Sequence, residues 1–278
     1  MDREQLGQLA DLAEAEFMLQ YVAGVPQAVS SALVSGHARI GGGVALSVPN
    51  APTYYWNKAL GFGFEEPVTR DLMDRVFRFY REQGTEVATI QIAPDRLPHD
   101  WEEIRAAEKL EPGSVIIQLG CEIDAFRIDD ATELRIGRVP SDAADQWASV
   151  LMAGFEWPQG GPLSEMLAAA VNNPRFRAYA AWDGDQVVGA AALFVHGEVA
   201  VLSGAATLPS HRGRGAQSAL MAIRAGAAAE AGCRWMVAQT GRPSAGSVNH
   251  SLNNMLRAGL RPLYDRQAWT WRAAPGAQ

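Results

Sequence analysis

Residues 202–220 have the sequence LSGAATLPSHRGRGAQSAL, which joins a predicted strand to a predicted helix through a basic, glycine-rich loop. The strand ends at Thr207, and a turn containing proline separates it from the loop. Two glycines remove side chains where a backbone must approach a ligand closely. The N–H groups and the positive dipole end of the following helix face this loop, and Arg212 and Arg214 add fixed positive charge. The segment therefore predicts a site that holds a diphosphate.

Two common phosphate-binding loops do not fit this segment. A P-loop requires Gly-Lys-Ser/Thr after its glycines, and that triplet is absent. The dinucleotide pattern G-x-G-x-x-G fails at its third position, which is Ser218. The alternative interpretation is a solvated basic turn in front of a surface helix.

Strands and helices alternate along the rest of the chain, which predicts an α/β fold. After residue 132 the order is strand, two helices, a hairpin turning at Asp183–Gly184, a strand, and then helix, strand, helix and strand. The charged stretch 124–132 has no hydrophobic period, so we place a boundary there between domains 1–125 and 132–278. The N-terminal part predicts helices at 3–22, 68–83 and 99–109, and strands at 37–48, 86–92 and 114–119.

The loop and the element order together resemble the GNAT superfamily of acyl-CoA-dependent N-acyltransferases. The family signature is Arg/Gln-x-x-Gly-x-Gly/Ala at a strand–helix junction. Arg212, Gly215 and Gln217 occupy its three positions, with glutamine in place of a small residue. The resemblance implies a mixed central sheet flanked by helices, and it covers about half of the chain.

The resemblance implies acetyl-CoA as the cofactor. In the family, a bulged fourth strand binds the pantetheine arm and polarises the thioester, and an asparagine of the last helix contacts the arm. The alternative interpretations are that the small residues of the strand allow tight packing and that Asn249 caps a helix. The cofactor-binding residues carried over are Ala205, Ala206, Thr207, Arg212, Gly213, Arg214, Gly215, Ala216, Asn249, Asn253 and Asn254. We expect Gly215→Glu to abolish CoA binding and to leave the fold intact.

Acid and base candidates come from the same resemblance. Glu198, at the start of the fourth strand, is the candidate base. The alternative interpretation is that it lies in solvent at the end of the strand. In the family, a tyrosine of the last helix acts as the general acid, and Met255 occupies its position here. Tyr264 is the nearest substitute for that acid, and the alternative interpretation is that Tyr264 is a core residue. Glu156 and Trp157 are the candidate acceptor-binding residues, since a carboxylate beside an aromatic ring suits a cationic amine. A surface loop is the alternative for this pair.

The N-terminal half has two interpretations, a degenerate second GNAT copy or an unrelated α/β domain. Residues 57–64, NKALGFGF, resemble the end of a GNAT last helix, which favours the tandem arrangement. A glycine-rich arginine loop of the RGxG kind is absent before residue 130. The tract YYWNK at 54–58 either lines a pocket or packs at the domain junction.

Composition narrows the class of protein. The chain has 278 residues, 48% of them hydrophobic and 20% charged, and a net charge of −7, which argues against a nucleic-acid partner. Two distant cysteines and no long apolar segment predict a cytoplasmic protein without a membrane anchor. The five histidines lack metal-ligand spacing, so we expect no metal. The oligomeric state stays open, a homodimer included.

The predicted function is acetyl transfer from acetyl-CoA to a primary amine, of a small molecule in the first instance, by direct attack in a ternary complex. The acidic surface favours a cationic acceptor through electrostatic steering. Two alternatives are a non-catalytic acyl-CoA-binding regulatory module and a thioester decarboxylase or lyase of the same fold.

Overall fold

The computed structural model describes residues 2–274 and builds them into one eleven-stranded sheet with helices on both faces. The helices are α1 (Arg3–Ala23), α2 (Gln27–Leu33), α3 (Arg70–Glu82), α4 (Trp101–Ala107), α5 (Ala144–Gly154), α6 (Gly161–Asn172), α7 (Ala216–Glu230) and α8 (His250–Arg257). The strands are β1 (Gly36–Ile40), β2 (Gly43–Ser47), β3 (Lys58–Leu60), β4 (Val87–Gln91), β5 (Glu111–Glu122), β6 (Arg135–Arg138), β7 (Phe176–Asp183), β8 (Gln186–His196), β9 (Val199–Thr207), β10 (Trp235–Gly241) and β11 (Arg261–Arg272).

Helix boundaries follow local capping. The Asp2 side chain accepts a hydrogen bond from the Gln5 backbone and Gln5 reciprocates, which closes a capping box at the start of α1. Thr69 caps α3 in the same manner, at 3.2 Å from the Leu72 nitrogen. The sequence predicts these two helices to within two residues at each end.

Two local differences separate the structure from the sequence prediction. The segment 37–48 is a hairpin and not a single strand, because Gly41 and Gly42 adopt φ values of 55° and 82° and turn the chain. The segment 57–64 contains strand β3, so its resemblance to the end of a GNAT last helix was wrong.

The strand order is β1-β2-β3-β4-β11-β5-β10-β9-β8-β7-β6. Two pairs are parallel, β3 with β4 and β9 with β10, and the other pairs are antiparallel. Strand β11 lies between β4 and β5, and β5 lies between β11 and β10. Each half of the chain therefore inserts its last strand into the sheet of the other half.

The halves repeat the same order of elements. From α1 to β5 the order is α-α-β-β-β-α-β-α-β, and from α5 to β11 it is the same, with β6 preceding it. In this repeat β3, α3 and β4 correspond to β9, α7 and β10. The segment joining β3 to α3 carries Glu65 and Glu66, where the segment joining β9 to α7 carries arginines. The N-terminal half therefore lacks the basic loop that an acyl-CoA diphosphate needs.

Helix α1 is the central packing element, since it contacts β1 and β2 of its own half and β8 and β9 of the other. Aromatic side chains make this contact. Phe17 lies 5.7 Å from Phe176, and Tyr21 lies 5.2 Å from Trp56, measured between ring centroids. Tyr21 also lies 4.5 Å from Phe176, so α1 connects the segment before β3 to β7.

A buried ionic cluster joins α1 to β11. The Arg266 guanidinium pairs with Asp11 and donates to Glu14 Oε2 at 2.7 Å, and all three side chains are buried. The Tyr264 hydroxyl donates to Asp11 Oδ2 at 2.5 Å. Burial raises the pKa of Asp11 to about 6, although the Arg266 charge opposes that rise. Because buried carboxylates need paired charge, this cluster fixes the position of β11 against α1.

We expect Arg266→Leu to destabilise the protein by about 3–5 kcal/mol, because it leaves two buried carboxylates without their cation. Arg272→Leu, on the same strand, should cost below about 1 kcal/mol, because its pair with Glu111 is exposed. Urea unfolding followed by circular dichroism measures both. Equal losses for the two variants would show that the cluster does not hold β11 in place.

Candidate active site

Strands β9 and β10 separate along their length and open a gap in the sheet. They pair only from Val199–Leu202 to Trp235–Ala238, although both continue beyond the paired segment. Against β8, Ala192 pairs with Ser203 and Ala190 with Ala206, so β9 carries one extra residue. This bulge includes Gly204, whose φ of +51° favours glycine. The bulge that the family resemblance implied on this strand is therefore present, and it exposes backbone groups to the gap.

A cleft of about 650 Å³ lies beside this gap, between the basic loop and α8. The start of α7 lies at the cleft, and the first N–H groups of a helix have no partner within it. Gln217 also lines the cleft and donates to the Ser251 hydroxyl at 3.5 Å, which connects α7 to α8. Eight of the predicted cofactor-binding residues line the cleft, namely Ala205, Ala206, Thr207, Arg212, Gly213, Gly215, Ala216 and Asn254.

Three predicted cofactor-binding residues do not line the cleft. Arg214 donates to Asp183 Oδ2 at 2.6 Å, and this hydrogen bond lowers the pKa of Asp183. Asn249 caps α8 by accepting from the Leu252 nitrogen at 2.9 Å, as the capping alternative predicted. Asn253 is exposed on α8. Local hydrogen bonds therefore leave Arg212 as the arginine that faces the cleft.

Gly215 lines the cleft, and it is also required by the local backbone conformation and packing. Its φ is +79°, and a Cβ there would lie 2.3 Å from the Ala131 carbonyl oxygen. The neighbouring Thr132 hydroxyl donates to the Arg214 carbonyl at 2.7 Å. The expectation that Gly215→Glu leaves the fold intact was therefore wrong, because any side chain at this position displaces the segment that leads into β6.

A second cavity of about 340 Å³ opens from the cleft and shares Ala205, Gln217 and Ser251 with it. Aromatic residues from both halves form much of its wall, namely Phe17, Tyr21, Tyr55, Trp56, Phe155 and Trp157. At its mouth the Trp157 ring lies 4.9 Å from Phe155 and 5.4 Å from Tyr55, between centroids. The cavity is therefore of small-molecule size and mainly apolar.

The two predicted acceptor-binding residues differ in their position relative to the cavity. Trp157 lines the cavity, whereas Glu156 is exposed and is not part of the lining. The tract 54–58, for which pocket lining and packing were both open, contributes Tyr55, Trp56 and Lys58 to the wall. Sequence analysis detected this tract by its aromatic residues and did not single out Lys58.

The charged lining of the cavity is basic. Lys58 and Arg224 are its charged members among the described residues, and no carboxylate contributes to it there. Burial lowers the pKa of Lys58 to about 8, although Glu14 opposes that fall. Burial also lowers the pKa of Arg224 to about 10. Arg224 donates to the Leu220 carbonyl at 2.9 Å and to the Ala192 carbonyl at 3.0 Å.

The structure does not bring the predicted base and acid to this site. Glu198 lies 3.5 Å from Arg234 at the start of β9, roughly 30 Å along the strand from the loop end. Tyr264 lines a separate cavity with Asp11, and burial raises the pKa of its hydroxyl. Met255, at the position of the family tyrosine, lines the aromatic cavity and supplies no acidic proton.

A different hydroxyl lies at the bulge. The Tyr21 hydroxyl is 3.9 Å from the point that a Cβ on Gly204 would occupy, and Tyr21 lines the aromatic cavity. Burial raises the pKa of Tyr21, so the phenol keeps its proton at neutral pH. Sequence reasoning missed this residue because it lies on α1, nearly two hundred residues before the loop in the chain.

Comparison with solved structures defines the class of fold. A GCN5-related N-acetyltransferase from Kribbella flavida is 16% identical, with a TM-score of 0.60, and the match covers 96% of this chain and 97% of that one. A tandem GNAT protein from the clavulanic acid biosynthesis pathway is 15% identical, with a TM-score of 0.60 and coverage of 99% and 97%. An N-acetyltransferase of the same kind from Sphaerobacter thermophilus is 14% identical, with a TM-score of 0.57 and coverage of 85% and 82%. The chain thus has a tandem GNAT-like α/β fold.

A comparison with family models matches part of the C-terminal half. Residues 144–249 match the model of the acetyltransferase (GNAT) family, so the C-terminal half contains a GNAT domain. Family and fold together support an acyl-CoA-dependent acyltransferase. A search of curated protein sequences finds no match for this chain. Across residues 2–274, none of the helices has the length and apolar character needed to cross a membrane.

We expect Arg212→Ala to weaken acetyl-CoA binding by roughly 10- to 100-fold, because it removes a charge-assisted contact to the diphosphate. Arg214→Ala is the matched control and should change affinity by less than about threefold, because that guanidinium is bound to Asp183. Isothermal titration calorimetry measures both. If Arg214→Ala causes the larger loss, the assignment of Arg212 is wrong.

Proposed function

We propose that this protein is an N-acetyltransferase that moves the acetyl group of acetyl-CoA to a primary amine of a small molecule. One observation carries the proposal, namely that the loop cleft and the aromatic cavity meet at the bulge of β9. A donor in the cleft and an acceptor in the cavity would meet there without a covalent enzyme intermediate. This juxtaposition is what direct attack in a ternary complex requires.

On the donor side, Arg212, Gly213 and the N–H groups at the start of α7 would hold the diphosphate. The backbone of Ala205 and its neighbours would pair with the pantetheine arm, because β9 lacks a partner on this edge beyond Leu202. Bound acetyl-CoA supplies the activated acetyl thioester. Backbone N–H groups near the bulge would stabilise the negative charge that develops on the carbonyl oxygen.

On the acceptor side, the cavity favours an uncharged amine. Lys58 and Arg224 repel an ammonium ion, and a nearby positive charge lowers the pKa of a bound amine. The neutral nitrogen forms a C–N bond to the acetyl carbon as the C–S bond breaks. The amine proton passes to solvent, and the departing thiolate takes the phenolic proton of Tyr21. The resulting tyrosinate takes up a proton from solvent, which balances the proton released by the amine and restores the phenol.

The two halves would then have different roles, one in binding acetyl-CoA and the other in binding the acceptor. The C-terminal domain, residues 132–278, would bind acetyl-CoA through its basic loop. The N-terminal domain, residues 1–125, would shape the acceptor cavity with Tyr21, Tyr55 and Trp56. The acidic segment between β3 and α3 supports a single cofactor site in each chain.

The test is acetyl transfer by the purified full-length chain to a panel of small primary amines. We expect release of CoA thiol that depends on the amine, with the acetylated amine identified by mass spectrometry. Thiol release that is the same with and without every amine would contradict the proposal. Tight acetyl-CoA binding without turnover would instead support a regulatory module. Release of carbon dioxide from malonyl-CoA would support a decarboxylase.

Tyr21→Phe tests the proton donor. We expect it to lower kcat by roughly 10²- to 10⁴-fold at unchanged acetyl-CoA affinity, because it removes one phenolic proton and little volume. Tyr264→Phe is the matched control and should leave kcat within about twofold, because its hydroxyl binds Asp11 in a separate cavity. Steady-state kinetics and calorimetry separate the two effects. An unchanged kcat in Tyr21→Phe would exclude the role.

A further inference from the structure

The lining of the aromatic cavity includes two positively charged side chains, and one of them has no hydrogen-bond or ion-pair partner among the described residues. The chain has a net charge of −7, yet the charged residues that line the cavity in the described part of the chain are Lys58 and Arg224. Arg224 directs its donors to backbone carbonyls. Lys58 makes no hydrogen bond or ion pair with any described residue, although its side chain is only 4% exposed.

The groups packed around Lys58 explain why its ammonium is unpaired. Its Nζ lies 4.0 Å from the centre of the Tyr55 ring, which supplies a cation–π contact and no ion pair. Glu14 on α1 and Arg266 on β11 also act on its charge. Glu14 Oε2 is paired with Arg266, the buried Glu14 Oε1 has no hydrogen-bond partner among the described residues, and this carboxylate lies beyond ion-pair distance of Lys58. A buried ammonium without acceptors is costly, so its donors are available to a ligand.

A second polar group in the same wall also lacks a partner. Gln91, at the end of β4, is 3% exposed and lines the cavity, and its Oε1 has no hydrogen-bond partner among the described residues. Buried amides are normally satisfied, and an unpaired amide oxygen accepts hydrogen bonds, so Gln91 is suited to an N–H donor of the acceptor and not to a carboxylate. Strand β4 pairs with β3, which places this amide on the strand next to that of Lys58.

We propose that Lys58 determines acceptor specificity by binding a carboxylate of the acceptor, which is therefore a primary amine with an acidic group and an apolar or aromatic body. The aromatic walls would enclose the body of the molecule. This inference rests on the proposed function, since it names the class of amine that the cavity takes. It replaces the cationic acceptor that the acidic composition favoured.

The first experiment compares pairs of amines that differ only in the carboxylate, such as phenylalanine with phenethylamine and 4-(aminomethyl)benzoate with benzylamine. We expect the wild-type kcat/KM to favour the acidic member by roughly 10- to 100-fold. Lys58→Met should abolish this preference by raising KM for the acidic member, whereas any loss of amine activation should lower kcat of both members alike. Lys58→Arg should keep the preference, and Lys109→Met, at the exposed second lysine, should match the wild type.

The second experiment measures binding without turnover. 3-Phenylpropionate has the carboxylate but no amine, and quenching of Trp56 and Trp157 fluorescence would report its binding in the presence of CoA. We expect Lys58→Met to weaken binding by roughly 10-fold or more. Binding should also weaken as the pH rises through about 8, where Lys58 loses its proton, but not in Lys58→Arg.

The two experiments separate the two proposals. Binding that depends on Lys58, without acetyl transfer to any amine, would overturn the proposed function and support the carboxylate site. Acetyl transfer with equal kcat/KM for both members of each pair would overturn the carboxylate site and leave the function intact. Acetylation of Lys58 itself by acetyl-CoA, seen by peptide mass spectrometry, would also overturn its role as an anchor.

Discussion

The buried contact between Arg266 and the two carboxylates of α1 is the interaction on which the rest of the structure depends. Helix α1 is acidic on its buried side, where Asp11, Glu14 and Glu16 are all covered. Glu16 is paired with Arg39 and Arg175, but Asp11 and Glu14 depend on a strand more than two hundred residues later. A helix with these charges can be buried only when β11 lies beside it, because unpaired buried carboxylates are too costly. The two ends of the chain must therefore meet in the folded protein.

The exchange of β5 and β11 turns this requirement into the architecture of the site. With β11 between β4 and β5, and β5 next to β10, the two halves share one sheet instead of meeting at an interface. Helix α1 then packs against β9 and places Tyr21 at the bulge. The aromatic cavity exists only in the joined structure, since its walls come from both halves. The N-terminal half has no basic loop between β3 and α3, and under the proposed function it would shape the acceptor cavity.

Sequence analysis succeeded where the signal is local. The bounds of α1 and α3, the glycine-rich arginine loop and the aromatic tract at 54–58 depend on neighbouring residues, so they were predictable. The three-residue strand β3 and the seven-residue helix α2 were missed, because their hydrophobic patterns are too short to detect. The choice of Glu198 and Tyr264 also failed to reach the site, because the family pattern gives sequence positions and not the neighbours that strand exchange creates. Lys58 and Tyr21 become visible only when the N-terminal half is placed over β9.

The charge of the cavity lining differs in sign from the net charge on which the prediction of a cationic acceptor was based. Exposed carboxylates produce the net charge of −7, but solvent and salt screen such charges beyond about 10 Å. Lys58 and Arg224 are buried, where the lower effective dielectric strengthens their action on a ligand in the cavity. The charged residues in the described lining of the cavity are these two cations, although the nearby buried Glu14 opposes them by raising the pKa of Lys58. Under the proposed function, this lining would oppose an ammonium ion and favour a neutral amine linked to a carboxylate, so the same two cations would serve both the specificity for the acceptor and its nucleophilicity.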